Sequence, residues 1–160
     1  MEMTESERTA RACLEELVKL QPDAASLEAV VGEAPVEGRE RVVEVLRALR
    51  LEPEAREDVT AAELDTHFGS PVVLQLLNAN WVVSLGCSKG AAGEEAQYAV
   101  FDPLSAESGH VIFLKKEALQ KAWAGAGIFL RGFANQHFAA DGRHTLLYCL
   151  VSICRHHNVD

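Results

Sequence analysis

The stretch 71–103 constrains the fold more than any other part of this chain. It reads Pro71-Val-Val-Leu-Gln-Leu-Leu77, a turn at Asn78-Ala-Asn80, Trp81-Val-Val-Ser-Leu85, a Gly-rich polar segment and Tyr98-Ala-Val-Phe-Asp102-Pro103. β-Branched and aromatic runs bounded by turn residues spell three successive strands. Their near-continuous apolarity means that the sheet is covered on at least one face. The segment 86–95 has no apolar period, which predicts a loop longer than a tight hairpin needs. Its glycines lead into a strand rather than a helix N-terminus, so they lack the context of a phosphate cradle.

The flanking segments supply helices for that sheet. Residues 8–20 place Cys13, Leu14, Leu17, Val18 and Leu20 in one stripe, and Gln21-Pro22-Asp23 ends the run. Ser26 caps a short helix through Val31, stopped by Gly32 and Pro35. Residues 40–51 repeat Val42, Val45, Leu46 and Leu49 at i, i+3, i+4 and i+7, an amphipathic helix that packs on the sheet. Residues 51–55 read as a short extended connection, and Thr60-Ala-Ala-Glu63 as a capping box opening a further helix with Leu64 and Phe68. After Asp102-Pro103 come a turn, a strand at 110–114, a short helix at 117–123 bearing Leu119 and Trp123, and a closing strand at 127–131. Helices followed by a mostly antiparallel meander make an α+β pattern.

The fold is complete by Gly132. Residues 133–143 are a polar connector, and Thr145 to His157 form an amphipathic helix with Leu146, Cys149, Leu150, Ile153 and Cys154 on one side. Such a stripe must be buried on its own domain or on another chain.

With 160 residues and 48% apolar content, one domain with a real core and a short extra piece is expected. The formal charge of -9 and the lack of any Lys/Arg run argue against nucleic acid as a partner. No apolar run approaches the ~18–20 residues that span a bilayer. The acidic start Met1-Glu-Met-Thr-Glu-Ser-Glu7 is unlike a secretory signal, which predicts a cytoplasmic piece that could be one end of a membrane protein. Cys13, Cys87, Cys149 and Cys154 show no pairing pattern and are expected as reduced thiols. Cys149 and Cys154 with His156 and His157 lack the two short knuckles of a structural zinc site, so no metal is expected. No Gly-rich loop ends in Lys-Ser/Thr, so no cofactor is implied and any ATPase would lie elsewhere in a longer protein.

Over about residues 7–132 the order of elements, Asn80-Trp-Val-Val-Ser-Leu85, Tyr98-Ala-Val-Phe-Asp102-Pro103 and the short helix ending near Trp123 resemble the peptidase-like N-terminal domain of bacterial ABC exporters. That family comprises papain-like bacteriocin leader peptidases and the non-cleaving domains of type I secretion exporters of haemolysin-type repeat toxins. The resemblance implies a papain-like fold, with N-terminal helices packed on the sheet. In active members a Cys in Asp-Cys-Gly-x-x-Cys-Leu at the start of the first helix is the nucleophile. A His opening the second core strand is its base, and the Asp of the Asp-Pro turn orients that base. A thiol needs a neighbouring base to become thiolate, and the base needs an orienting partner.

Aligned on Cys13-Leu14, the nucleophile position falls on Thr9 and the base position on Asn80; only Asp102 keeps the family residue. Thr9 has no base to activate it and Asn80 carries no proton at neutral pH, so the resemblance implies a domain without thiol acyl transfer. Two other thiols are candidates for a residual peptidase: Cys13, one turn further along the core stripe, and Cys87, in the loop within reach of Asp102 or His110. A small apolar role is the commoner one for a buried Cys. An Asp before Pro is also a standard turn former, so Asp102 has a structural reading beside the functional one.

The tail carries a second resemblance: Tyr148-Cys149-Leu150 echoes Ala12-Cys13-Leu14, as if a second copy began near His144, with Thr145 at its nucleophile position. A register from Gln136 and Asp141 puts Gly142 there instead. The expected organisation is a degenerate peptidase-like domain at 1–132, a linker at 133–143 and an extra helix at 144–160. That helix is either the start of a second domain or a swapped element pairing two copies.

The resemblance implies a catalytically inactive domain at the cytoplasmic face of the bacterial inner membrane, beside the transmembrane and ATPase parts of a type I exporter. It would hold unfolded secretion substrate near Asn80, Trp81 and Asp102, with Trp81 offering either an aromatic contact or a core residue. The alternatives are an assembly module that forms a homodimer through 144–160 and an active leader-cleaving cysteine peptidase.

Overall fold

The computed structural model describes residues 2–21, 24–66, 70–88 and 95–131. The expected tail helix, its Cys and His residues and the linker lie outside the described residues. The first helix, α1 (Glu5–Leu20), starts three residues earlier than its apolar stripe suggests. Thr4 caps it, its side chain accepting from the Glu7 backbone N–H at 3.2 Å, so the acidic first turn belongs to the helix. Helix α2 (Leu27–Val31) follows, capped by Ser26 as expected. Helix α3 (Gly38–Ala48) stops before Leu49 and Leu51, yet both are buried in the same cluster as its stripe.

The expected connection after α3 is strand β1 (Pro53–Arg56), and α4 (Ala61–Thr66) opens on the capping box. There the Thr60 N–H donates to Glu63 at 2.7 Å and the Glu63 N–H donates to the Thr60 hydroxyl at 3.3 Å. Strands β2 (Val72–Leu76), β3 (Trp81–Ser88) and β4 (Gln97–Phe101) are the anticipated triple, followed by β5 (Val111–Lys115), α5 (Lys116–Ala122) and β6 (Trp123–Leu130). All pair antiparallel in one sheet of order β1-β6-β2-β3-β4-β5. The fold is α+β, with helices on both faces of the sheet.

Two boundaries correct the sequence reading. Strand β3 does not end at Leu85: Gly86, Cys87 and Ser88 pair with Ala99, Tyr98 and Gln97, after a register shift between Ser84 and Gly86. The cause is a bulge in which Gly86 takes φ 127, a conformation that side chains resist. Strand β6 begins at Trp123 rather than 127, because Trp123 pairs with Leu76 across the end of β2.

Alternation along the strands divides the core. Trp81 and Val83 of β3, Val73, Phe101, Ile128 and Leu130 face α1, α2 and α3, where Leu14, Leu17 and Leu46 close the layer. Val72, Leu74, Val82, Tyr98, Val100 and Phe129 face Ala61 and Leu64 of α4 and Leu119 of α5. The bulge shifts β3 by one residue, so Cys87 falls on the second face, opposite the face that buries Cys13. Among the described residues no helix is long and apolar enough to cross a membrane.

Candidate functional site

The first turn of α1 meets the start of β3, and three hydrogen bonds fix that meeting. The Ser6 hydroxyl donates to the Ala79 carbonyl at 2.7 Å, Asn80 Nδ2 donates to Glu5 Oε1 at 2.7 Å, and the Trp81 backbone N–H donates to the Thr9 hydroxyl at 3.1 Å. Residues 5, 6 and 9 share one face of a 3.6-residue helix, so a helix beginning at Glu5 brings all three to the turn 77–80 at once. The positions aligned with a nucleophile and its base, Thr9 and Asn80, are therefore neighbours, and both are buried.

Both side chains are engaged in hydrogen bonds. Besides accepting from Trp81, the Thr9 hydroxyl donates to the Ser6 carbonyl at 2.9 Å, which uses its one proton. Asn80 is held by Glu5, and its own N–H donates to Asn78 Oδ1 at 3.1 Å. Asn has no proton-accepting nitrogen lone pair, so this pair cannot move a proton from a nucleophile.

Asp102 follows the last residue of β4. The pairing of Val83 with Phe101, extended by one residue, sets it beside Val82, on the strand next to Asn80. Its Oδ1 accepts from the Leu104 N–H at 3.0 Å, a local Asp turn of the kind its place before Pro103 suggests. Asp102 also lies close enough to Cys13 to act on it. Burial first, then the negative charges of Asp102 and Glu16, push the Cys13 thiol well above its ordinary range. A nucleophilic cysteine needs the opposite shift, and Cys13 is 1% exposed.

The other candidates fall elsewhere. Cys87 is not in a mobile loop near Asp102: it pairs with Tyr98 inside β3 and is buried on the opposite face. Among the described residues His110 is the one histidine, and its Nδ1 lies 2.8 Å from the Ser105 carbonyl while its ring meets the edge of Phe101. It immediately precedes β5, which lies two strands from β3, or about 10 Å of sheet. The Trp81 ring is buried among the α1 side chains rather than displayed to a partner. No group of three or more His, Cys, Asp and Glu among the described residues could hold a metal.

Glu5 and Ser6 were not singled out in the sequence. Their signal is the spacing Glu5, Ser6, Thr9, Cys13, legible once the helix starts at its Thr4 cap.

The described architecture matches a solved double glycine motif protease from an AMS/PCAT transporter in complex with the leader peptide, with TM-score 0.61 over 81% of this chain and 88% of that one, at 19% identity. The chain has the fold of a transporter peptidase domain. The peptidase domain of Streptococcus mutans ComA also matches, at 22% identity and TM-score 0.43 over 58% of this chain and 73% of that one. No protein-family model and no curated protein matches the sequence.

Proposed function

We propose that this chain is a non-cleaving, peptidase-like docking domain of an ABC exporter, holding an extended stretch of secretion substrate at the cytoplasmic entrance. The observation that carries the reading is the state of Thr9. The position where the fold would need a nucleophile holds a hydroxyl whose proton is committed to the Ser6 carbonyl and whose lone pair is committed to the Trp81 N–H. The neighbouring base position holds an amide. An acyl-transfer site requires both groups to be available.

Docking has support at the same end of the sheet. The exposed large apolar side chains of the described residues are Met3, Leu77 and Leu104. They stand next to the site in the chain: Met3 precedes Glu5 by two residues, Leu77 precedes Asn80 by three and Leu104 follows Asp102 by two. Leu77 follows the end of β2 and Leu104 lies three residues past the end of β4, the two strands that flank β3. Exposed apolar side chains suit the side chains of an unfolded segment, whereas a net charge of -9 disfavours electrostatic capture of acidic substrates. On this reading the substrate is an unfolded repeat-toxin-like polypeptide.

The deciding experiment titrates the full chain calorimetrically with an unfolded secretion substrate and with a precursor peptide whose leader ends in a double glycine and continues for several residues beyond it. Both mixtures are followed by mass spectrometry for cleavage. Binding with both peptides intact is the expected result. Specific cleavage after the double glycine would overturn the assignment of Thr9 and Asn80.

A further inference from the structure

Two carboxylates flank the start of β3, and neither is balanced by a cation among the described residues. Glu5 is exposed in the first turn of α1, where its Oε1 accepts from Asn80 Nδ2 at 2.7 Å. Asp102 is half-buried just past β4, where its Oδ1 accepts from the Leu104 N–H at 3.0 Å. Both are fixed by neutral amides, which orient a carboxylate without cancelling its charge. None of the ion pairs among the described residues involves Glu5 or Asp102, although Arg8 lies one turn along α1 from Glu5. The charge of Asp102 also reaches inward to the buried Cys13 thiol, so solvent does not fully screen it. An exposed leucine accompanies each carboxylate. The Leu77 N–H donates to the Ala122 carbonyl at 2.9 Å, and Leu104 is held in the Asp102 turn, so both side chains project from pinned backbone.

We propose that the polypeptide segment docked at this end of the sheet is cationic as well as apolar, with Lys or Arg side chains meeting Glu5 and Asp102 and apolar side chains meeting Leu77 and Leu104. The inference rests on the docking reading above and names the chemistry of its substrate. A carboxylate already oriented by Asn80 or by the Leu104 N–H loses less freedom on meeting a cation than a free one does, which favours the pairing. A segment with Asp or Glu at the same places meets like charges here, on a chain whose net charge is already -9. Charge therefore selects the stretch of unfolded polypeptide, and apolar contact holds it. The captured stretch mixes basic and apolar residues, whatever the charge of the remaining substrate.

Calorimetric titration of the full chain with two unfolded peptides tests it, the two sharing one leucine pattern, interspersed with Lys in one and with Glu in the other. The Lys peptide should bind about tenfold tighter at low salt, from two exposed ion pairs of about two- to fivefold each. The gap should close at about 1 M salt, where the reach of a charge falls to about 3 Å. Glu5→Gln and Asp102→Asn keep the oxygens that Asn80 and Leu104 bond and remove the charges. Each should weaken the Lys peptide by about two- to fivefold without moving the Glu peptide the same way. Glu117→Gln, on α5 at the opposite face of the sheet, should leave both peptides unchanged. Equal affinity for the two peptides, with both weakened by Leu104→Asp, would overturn the cationic preference and leave the docking reading standing. A Lys preference that survives undiminished in the Glu5→Gln, Asp102→Asn double variant would be an effect of net charge alone, and would overturn the assignment to these two carboxylates. Binding of neither peptide would overturn the docking reading together with this inference.

Discussion

The Thr9 hydroxyl and the Trp81 backbone N–H, 3.1 Å apart, join the first helix to the first residue of the strand beside which a papain-like site would be built. The bond is buried, so its loss leaves a donor without water. Thr9→Val keeps the shape and removes the acceptor, and should cost about 1–3 kcal/mol of unfolding free energy in urea denaturation. Thr9→Ser keeps the oxygen and should recover most of that loss. Equal stability of the two variants would remove the structural role assigned to this hydroxyl.

At the other face of the sheet, Glu63 offers a test in acid. The Thr60 backbone N–H, then the Arg56 side chain, hold its carboxyl below the ordinary carboxylate range. The depressed pKa means that the unfolded chain takes up the proton first. The stabilising contribution is thus present above the ordinary carboxylate pKa and lost as the pH falls through the folded value. Glu63→Gln should remove that part of the acid limb: the difference in melting temperature between native chain and variant should shrink as the pH is lowered from neutrality.

How much of this was legible in sequence depends on how local the cause is. The caps at Ser26 and Thr60, the triple β2, β3 and β4, and the buried stripes of α1 and α3 follow from residues within a few positions of each other. The continuation of β3 through Gly86 and Cys87 did not, because a bulge is a relation to the partner strand β4, and glycine alone reads as a turn. The same blindness placed Cys87 in a loop beside Asp102, when the register shift sends it to the opposite face. At the site, the alignment brought Thr9 beside Asn80 from motif spacing alone. Glu5 and Ser6 escaped because the polar first turn of α1 has no apolar period and is declared only by its cap at Thr4.

Cys13 carries a prediction at the alkaline end. Its thiol pKa is raised, by burial above all and then by the negative charges of Asp102 and Glu16, so the folded state keeps the proton that the unfolded chain gives up. Its contribution is fully present below the ordinary thiol pKa and declines as the pH rises from there towards the folded value. Chemical denaturation from pH 7 upward should show the native chain losing stability faster than Cys13→Ala above about pH 8.5, the ordinary thiol value. Parallel pH profiles would mean that the thiol ionises equally in both states and is not enclosed as its 1% exposure indicates.

The rim side chains test the docking reading without touching the core. Leu77 is 70% exposed and Leu104 51%, so each has little native packing to lose, and replacement by Asp should shift stability by no more than about 0.5 kcal/mol. Burying a leucine against a partner is worth about 1.5–3 kcal/mol when complete. Each of Leu77→Asp and Leu104→Asp should therefore weaken binding of an unfolded substrate by about tenfold, and the double variant by more. The two positions lie on opposite sides of β3, so a substrate crossing the start of that strand feels both, whereas one bound along the β5 edge feels neither. Native-like affinity in the double variant, with unchanged melting temperature, would move the docking surface away from this end of the sheet.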